Sequence, residues 1–482
     1  MEKCQIFLRK KFGGWLLLAC SALILQSCAD AYTDDETWHS SVKNTTLSSP
    51  PADSITVVPN TDGSKFTITW PVVYGAGGYR YSLYDVTNAD EPVVVDSLEN
   101  VDIDGCSVVV SRTEDTNYKF VIKTLANAEN NNAEAPEATT KLFTSFTPTF
   151  ASIPGGTDLY EWLANNPLPS DRTDELCLDL EPGGIYTMSK YVDFEGVRVT
   201  LRCTNKLNRP TLTMGETGSF RTSAAMTLKN ININCTASTE PLICLSSNPL
   251  ESIKGITGKG DYFNILDPIY VANCDVVGLQ SNFIYDNSKK YCVGTMLVDN
   301  CKVKLTCGSN MGGQAIFYFK QGFINDLTVK NSTFWKDSQY DTKYFVQYNN
   351  SGRCDRAGYL SNSINFLHNT FYNVAKKGQW GNYGGFAGRN TSMWDMEYNI
   401  FVDCGNGQVC RRFLGGRGNQ STATFNSNNI WFDGADENVS GYDNSGTQVN
   451  GDPAFKNAAQ GDFTIGNNVH IDALIGDPRW LP

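Results

Sequence analysis

Histidine is almost absent from this chain: three occur in 482 residues. The 15 cysteines include no Cys-x-x-Cys pair, so nothing has the spacing of a zinc site. Positive charge is also in short supply. Lys and Arg total 39 against 51 Asp and Glu, a formal net charge of −12. With no long Lys/Arg run, that balance argues against nucleic acid as a partner, because phosphate neutralisation needs clustered cations. No Gly-x-x-x-x-Gly-Lys-Ser/Thr segment occurs, so a phosphate loop of that type is excluded. What the chain does have is 41% hydrophobic and 19% charged residues, which suits a packed core and not global disorder. Its length exceeds that of one ordinary domain.

Lys3, Arg9, Lys10 and Lys11 precede the apolar run "GGWLLLACSALILQSC", the layout of a secretory signal. The run is too short for a convincing membrane span. Its end, Leu25-Gln26-Ser27-Cys28, resembles a bacterial lipobox. That resemblance implies cleavage after residue 27, lipid on Cys28, and a flexible tether over 28–48. Asp30, Asp34, Asp35 and Glu36 follow. This acidic stretch resembles the surface-export signal of lipoproteins from the Bacteroides group, and it implies a lipid-anchored place on the outer membrane, facing outward.

From 49 to 148 short alternating segments recur between Gly, Asn and Asp turns: "KFTITW" (65–70), "GYRYSLYDV" (78–86), "CSVVVS" (106–111) and "YKFVIKTLA" (118–126). They predict a β-sandwich. Trp70, and Tyr118 after "EDTN", give the segment a resemblance to a fibronectin type III domain. With no cluster of aromatic residues standing out, a spacer role is expected.

Beyond 149 one motif returns. "MTLKNINI", "IYVANCDV", "MLVDNCKV", "LTVKNSTFW", "NFLHNTFY", "DMEYNIFV" and "FNSNNIWF" place Asn230, Asn273, Asn300, Asn331, Asn369, Asn399 and Asn429 at intervals of 43, 27, 31, 38, 30 and 30 residues. An apolar residue stands three places after each. Irregular repeats of this length, each with a strand and little helical pattern, predict a solenoid, the parallel β-helix. Asn tolerates a left-handed corner, and its amide both donates and accepts, so the seven are expected to form a structural ladder. Glu397 and Ser427 break the pattern two places before their Asn, which allows a register shift there. Cys274 and Cys301 each follow a ladder Asn and are expected as reduced packing residues. "TDLYEWLANNP" (157–167) is expected as a capping helix, and "GDPAFKNAAQGDFTI" with "IGDPRWLP" as a C-terminal closure.

Taken together, the lipobox, the fibronectin-like segment, "IPGGTDLYEWL", the "NTFYN" repeats and the terminal "GDPRW" resemble a group of Bacteroides exported proteins. These carry paired domains of unknown function with the pectin-lyase-like right-handed parallel β-helix fold. The resemblance implies an all-β chain that handles complex polysaccharides, pectins among them, beside other glycan-uptake lipoproteins. It brings no agreed catalytic residues.

Lys290, Lys320, Arg389 and Arg417 stand 10, 11, 10 and 12 residues ahead of Asn300, Asn331, Asn399 and Asn429, and Arg356 stands 13 ahead of Asn369. On one face these five would make a basic stripe. Stacked like charges repel unless an anion lies between them, and Arg holds carboxylates in bidentate fashion. An acidic polysaccharide is therefore the expected partner. Trp380 and Tyr383, with Phe386, lie in a Gly-rich segment suited to stacking on sugar rings. The alternative is an enzyme. β-Elimination would use an Arg base, with Arg356, Arg389 and Arg411 the leading candidates and Arg353 and Arg412 behind them, and Ca²⁺ held by Asp. Hydrolysis would use paired carboxylates such as Asp395 and Asp403. Neither the clustered Asp of β-helix polygalacturonases nor a pectate-lyase Arg/Pro motif is present. A purely structural or adhesive role is the third reading.

Overall fold

The computed structural model describes residues 42–482, apart from 61–64, 114, 173, 258–260, 350–357, 388, 412–420, 437–442 and 444. The described chain is all-β in character. It divides into two compact units at Thr147/Pro148.

In the first unit all the sheet pairing is antiparallel. Thr56–Pro59, Lys65–Thr69 and Ser107–Ser111 form one sheet. Tyr79–Asp85 and Asn117–Thr124 lie at the centre of the other, flanked by Val93–Val94, Val101–Ile103 and Thr139–Thr144. Burial along Asn117–Thr124 alternates at nearly every position, as a strand with one buried face requires. The two sheets share one core that includes Ile68, Leu83, Phe120 and Ile122. Trp70 packs there against Tyr79 and Phe120. The Tyr118 hydroxyl accepts from the Thr113 N–H at 2.7 Å and donates to the Thr113 carbonyl at 3.2 Å, pinning the start of its strand. The ordered chain reaches back into the segment expected as tether: Leu47 is buried, and its N–H bonds to the Ala133 carbonyl.

The second unit repeats one path. From Met226 on, a strand joins a first ladder, the chain turns through two residues, a short strand joins a second ladder, and after a longer turn another joins a third. Met226–Lys229, Asn232–Asn234 and Ile243–Leu245 make one such circuit. All pairing between successive circuits is parallel, as in Lys229 to Ala272, Ile233 to Val276 and Cys244 to Tyr285. The long strand Thr211–Thr222 pairs into both the second and third ladders. Apolar side chains from all three fill the space between them, with an aromatic interior around Phe317, Phe334, Phe345, Phe371 and Phe401.

The corner between the first and second ladders explains the repeating asparagines. Asn230, Asn273, Asn300 and Asn331 have φ of 58, 52, 51 and 49°, the left-handed region that Asn tolerates better than most residues. The Nδ2 of Asn273 donates to Oδ1 of Asn230, and that of Asn300 to Oδ1 of Asn273. Asn331 turns instead to Asp299. After that the left-handed corner passes to His368, Tyr398 and Ser427. Lys330 pairs with Leu367 and Glu397 with Asn426, each step one residue shorter than the matching interval between asparagines, while Leu367 to Glu397 equals it. Asn369 and Asn399 therefore sit one place further in, fully buried, and are joined there by Asn428. The expected single ladder is two. Asn429, expected in it, pairs with Ile400 as the first residue of its strand.

Cys274 and Cys301 occupy that inner position in earlier circuits, and their thiols donate to backbone carbonyls. Neither Cys274 nor Cys301 is in a disulfide. A helix, Leu159–Asn165, with Asp158 as its N-cap, lies between Thr149–Ile153 and Leu176–Leu180, which pair in parallel in the first ladder. After the last circuit a smaller core of Ile400, Val402, Ile465 and Ile475 closes the unit.

Candidate functional site

The last described strand of the third ladder is Gln379–Asn382, which pairs with Tyr344–Tyr348. Among the described residues the next circuit adds no strand there. Gly405, Asn406 and Gly407 all have positive φ, at 56, 55 and 68°, and three such residues in a row cannot extend a sheet. The chain turns away, and a cleft of about 210 Å³ opens beside it. Lys343, Lys377 and Arg411 bring positive charge to its lining, and Gln379, Asn406 and Gln408 bring amides. Gly378 and Gly405 complete it.

Backbone contacts fix this shape. A side chain at 378 would place its Cβ 2.4 Å from the Lys343 carbonyl oxygen, so only glycine allows the two turns to approach. Gln379 N–H bonds to the same carbonyl at 2.9 Å. Gly405 N–H bonds to the Val374 carbonyl and Asn406 N–H to that of Lys376. Arg411 Nη1 donates to Oε1 of Gln408 at 2.7 Å.

Acidic groups nearby are engaged elsewhere. Asp341 accepts from the backbone N–H groups of Thr342 and Lys377. Asp403 and Asp433 each lie 2.9 Å from the Lys376 ammonium. Burial works against charge on Lys376, but these carboxylates outweigh it and raise its pKa. Among the described residues no carboxylate lines the cleft.

Of the residues expected at a site, Arg411 lies in this cleft. Lys290 is ion-paired with Asp261 at 2.6 Å, Lys320 is exposed beyond the strand Ala315–Phe319, and Arg389 is half-buried. Arg353, Arg356, Arg412 and Arg417 lie outside the described residues, as does Cys28. Trp380 and Tyr383 are corrected: both are core residues, 0 and 1% exposed. Trp380 stacks on Phe345 with ring centroids 4.4 Å apart, so neither ring is available to a sugar. Asp395 and Asp403 do not form a pair across a bond. Asp395 lies in the first ladder, where burial and then its neighbour Glu397 push its carboxyl up to about 6, whereas Asp403 is held by Lys376. Among the described residues no group of three or more His, Cys, Asp or Glu is placed to hold a metal ion, so the Asp-held Ca²⁺ of a lyase finds no such group there.

Lys343, Lys377, Gln379, Asn406 and Gln408 were not expected. Their signal was available in "TKYFVQY" and "KKGQWGN", which align once Tyr344 is set opposite Gln379. Counting from the asparagines hides it, because the turns between differ in length.

Three families of domains of unknown function cover the chain. Residues 1–181 match DUF4992, 184–337 match DUF4957 and 364–480 match DUF5123. No curated protein and no solved structure matches. The DUF4957 and DUF5123 segments share continuous ladders: Thr333–Lys336 pairs with Thr370–Tyr372, and Phe323–Lys330 with Asn362–Leu367. The left-handed Asn230, Asn273, Asn300 and Asn331 fall in DUF4957, and the buried Asn369, Asn399 and Asn428 in DUF5123. The cleft is built from the segment between the two matches and from DUF5123.

Proposed function

We propose that this protein is a surface lipoprotein, anchored through Cys28, that binds acidic, pectin-like polysaccharide. In this reading the three parallel ladders are a right-handed parallel β-helix, and the first unit is a fibronectin type III-like spacer that presents it. The observation that carries the reading is the cleft: Lys343, Lys377 and Arg411 converge on it with amides and, among the described residues, no carboxylate, in a chain of net charge −12. Such a concentration of one sign against the background of the other favours a carboxylate-bearing ligand. Amide side chains donate and accept, as sugar hydroxyls require. Hydrolysis needs two carboxyl groups flanking a bond, whereas the described lining offers cations and amides, which suit binding.

The test is incubation of the protein with polygalacturonate, with and without Ca²⁺, following both complex formation and ultraviolet absorbance. Complex without new absorbance is expected. Absorbance from unsaturated uronate would replace the binding reading with a lyase, and no complex with any acidic glycan would remove it.

A further inference from the structure

The cleft is small and one-sided. Its volume of about 210 Å³ falls below the range of roughly 300–1,000 Å³ that encloses a drug-sized ligand. It also lies beside the last described strand of the third ladder. The strand Gln379–Asn382 has a ladder partner on one side, Tyr344–Tyr348. On the other side stands the turn Gly405–Gly407, tied back by Gly405 N–H to Val374 and Asn406 N–H to Lys376. A side chain at 405 would lie 3.3 Å from Trp380 Cβ, so this turn rests on the buried core and is a fixed wall. A polymer lying along the ladder would run into it.

The charges fit the same geometry. Lys343, Lys377 and Arg411 come from three successive circuits. Neighbouring strands are about 4.8 Å apart, so these cations are drawn to one place over about two strand spacings and not spread along a long face. Lys343 and Lys377 form no ion pair among the described residues. Like charges held this close favour an anion between them.

Resting on the proposed binding of acidic glycans, we infer that the cleft takes a single uronate at the end of a chain, its carboxylate among Lys343, Lys377 and Arg411. The rest of the chain leaves toward solvent, away from the Gly405–Gly407 wall. Gln379, Asn406 and Gln408 serve the ring hydroxyls.

Size-defined oligogalacturonates separate this from binding along the chain. Calorimetric titration of the protein with galacturonate, then with oligomers of increasing length, is expected to give an affinity that levels off after the first one or two sugars. The longest oligomers are expected to hold one protein per chain. Lys377→Gln and Arg411→Gln are each expected to weaken free galacturonate about tenfold, with unchanged thermal unfolding, since both side chains are exposed. Affinity that climbs with length, with several proteins per chain, would overturn end recognition while leaving acidic-glycan binding in place. Binding to no acidic oligomer of any length would instead sink the proposed function.

Discussion

Asn399 is the most heavily bonded of the repeating asparagines. Its Nδ2 donates to Phe366 O at 2.7 Å and to Asn428 Oδ1 at 2.9 Å, while its Oδ1 accepts from the N–H and Nδ2 of Asn369. Asn399→Ala strands buried groups on both neighbours and is expected to cost about 2–4 kcal/mol in urea unfolding. Asn331 is different. It keeps a left-handed corner and one amide bond to Asp299. Asn331→Gly is expected to be nearly neutral, and Asn331→Ala to cost about 1–2 kcal/mol for the unfavourable backbone. The sequence shows an Asn in both cases. It does not show which plays which part, because only the strand register separates corner from interior. Asp395 offers a pH test. Its carboxyl stands at about 6, raised by burial and then by Glu397, so the fold binds its proton more tightly than the unfolded chain. That favours the fold below the ordinary carboxyl pKa of about 4, and the contribution is lost as pH rises through about 6. Unfolding midpoints of the wild type should therefore fall more on going from about pH 4 to pH 7 than those of Asp395→Asn.

At the scale of elements, the C-terminal segment is a strap across the second ladder. Thr333 Oγ1 donates to Asp477 Oδ2 at 2.7 Å and accepts from Trp480 Nε1 at 2.7 Å, and Thr370 Oγ1 accepts from the Asp477 N–H. Arg479 reaches Asn300 Oδ1 at 2.7 Å, at the corner of an earlier circuit. Thr333→Val removes two partners from a buried seam and is expected to cost about 2–3 kcal/mol. Amide hydrogen exchange should quicken over 477–482, with no change in the first unit. Much at this scale was legible in the sequence: the strands of the first unit and the helix Leu159–Asn165 follow from alternation and an N-cap residue, though the strand Thr149–Ile153 ahead of that helix was not read. The two asparagine columns were not. The change from one to the other falls between the segments matched to DUF4957 and DUF5123, where the circuit from Lys330 to its partner Leu367 is one residue shorter than the interval from Asn331 to Asn369.

Over the whole molecule, the all-β character was legible because each repeat carries a strand and a polar stop. The candidate site was legible only in Arg411. A basic stripe counted from the asparagines assumed turns of equal length, and Trp380 and Tyr383 read as exposed because their glycines suggested a loop. Gly378 instead lets its turn meet Lys343, and Gly405, further along, opens a left-handed turn beside the last described strand of the third ladder. The measurement that tests the central claim most directly is affinity electrophoresis of the protein in gels with polygalacturonate or neutral galactan. Retardation by polygalacturonate alone is expected, fading as salt is added, and lost in the Lys377→Ala/Arg411→Ala double variant. Equal mobility in both gels, or full retardation of the double variant, would contradict an acidic-glycan site at this cleft.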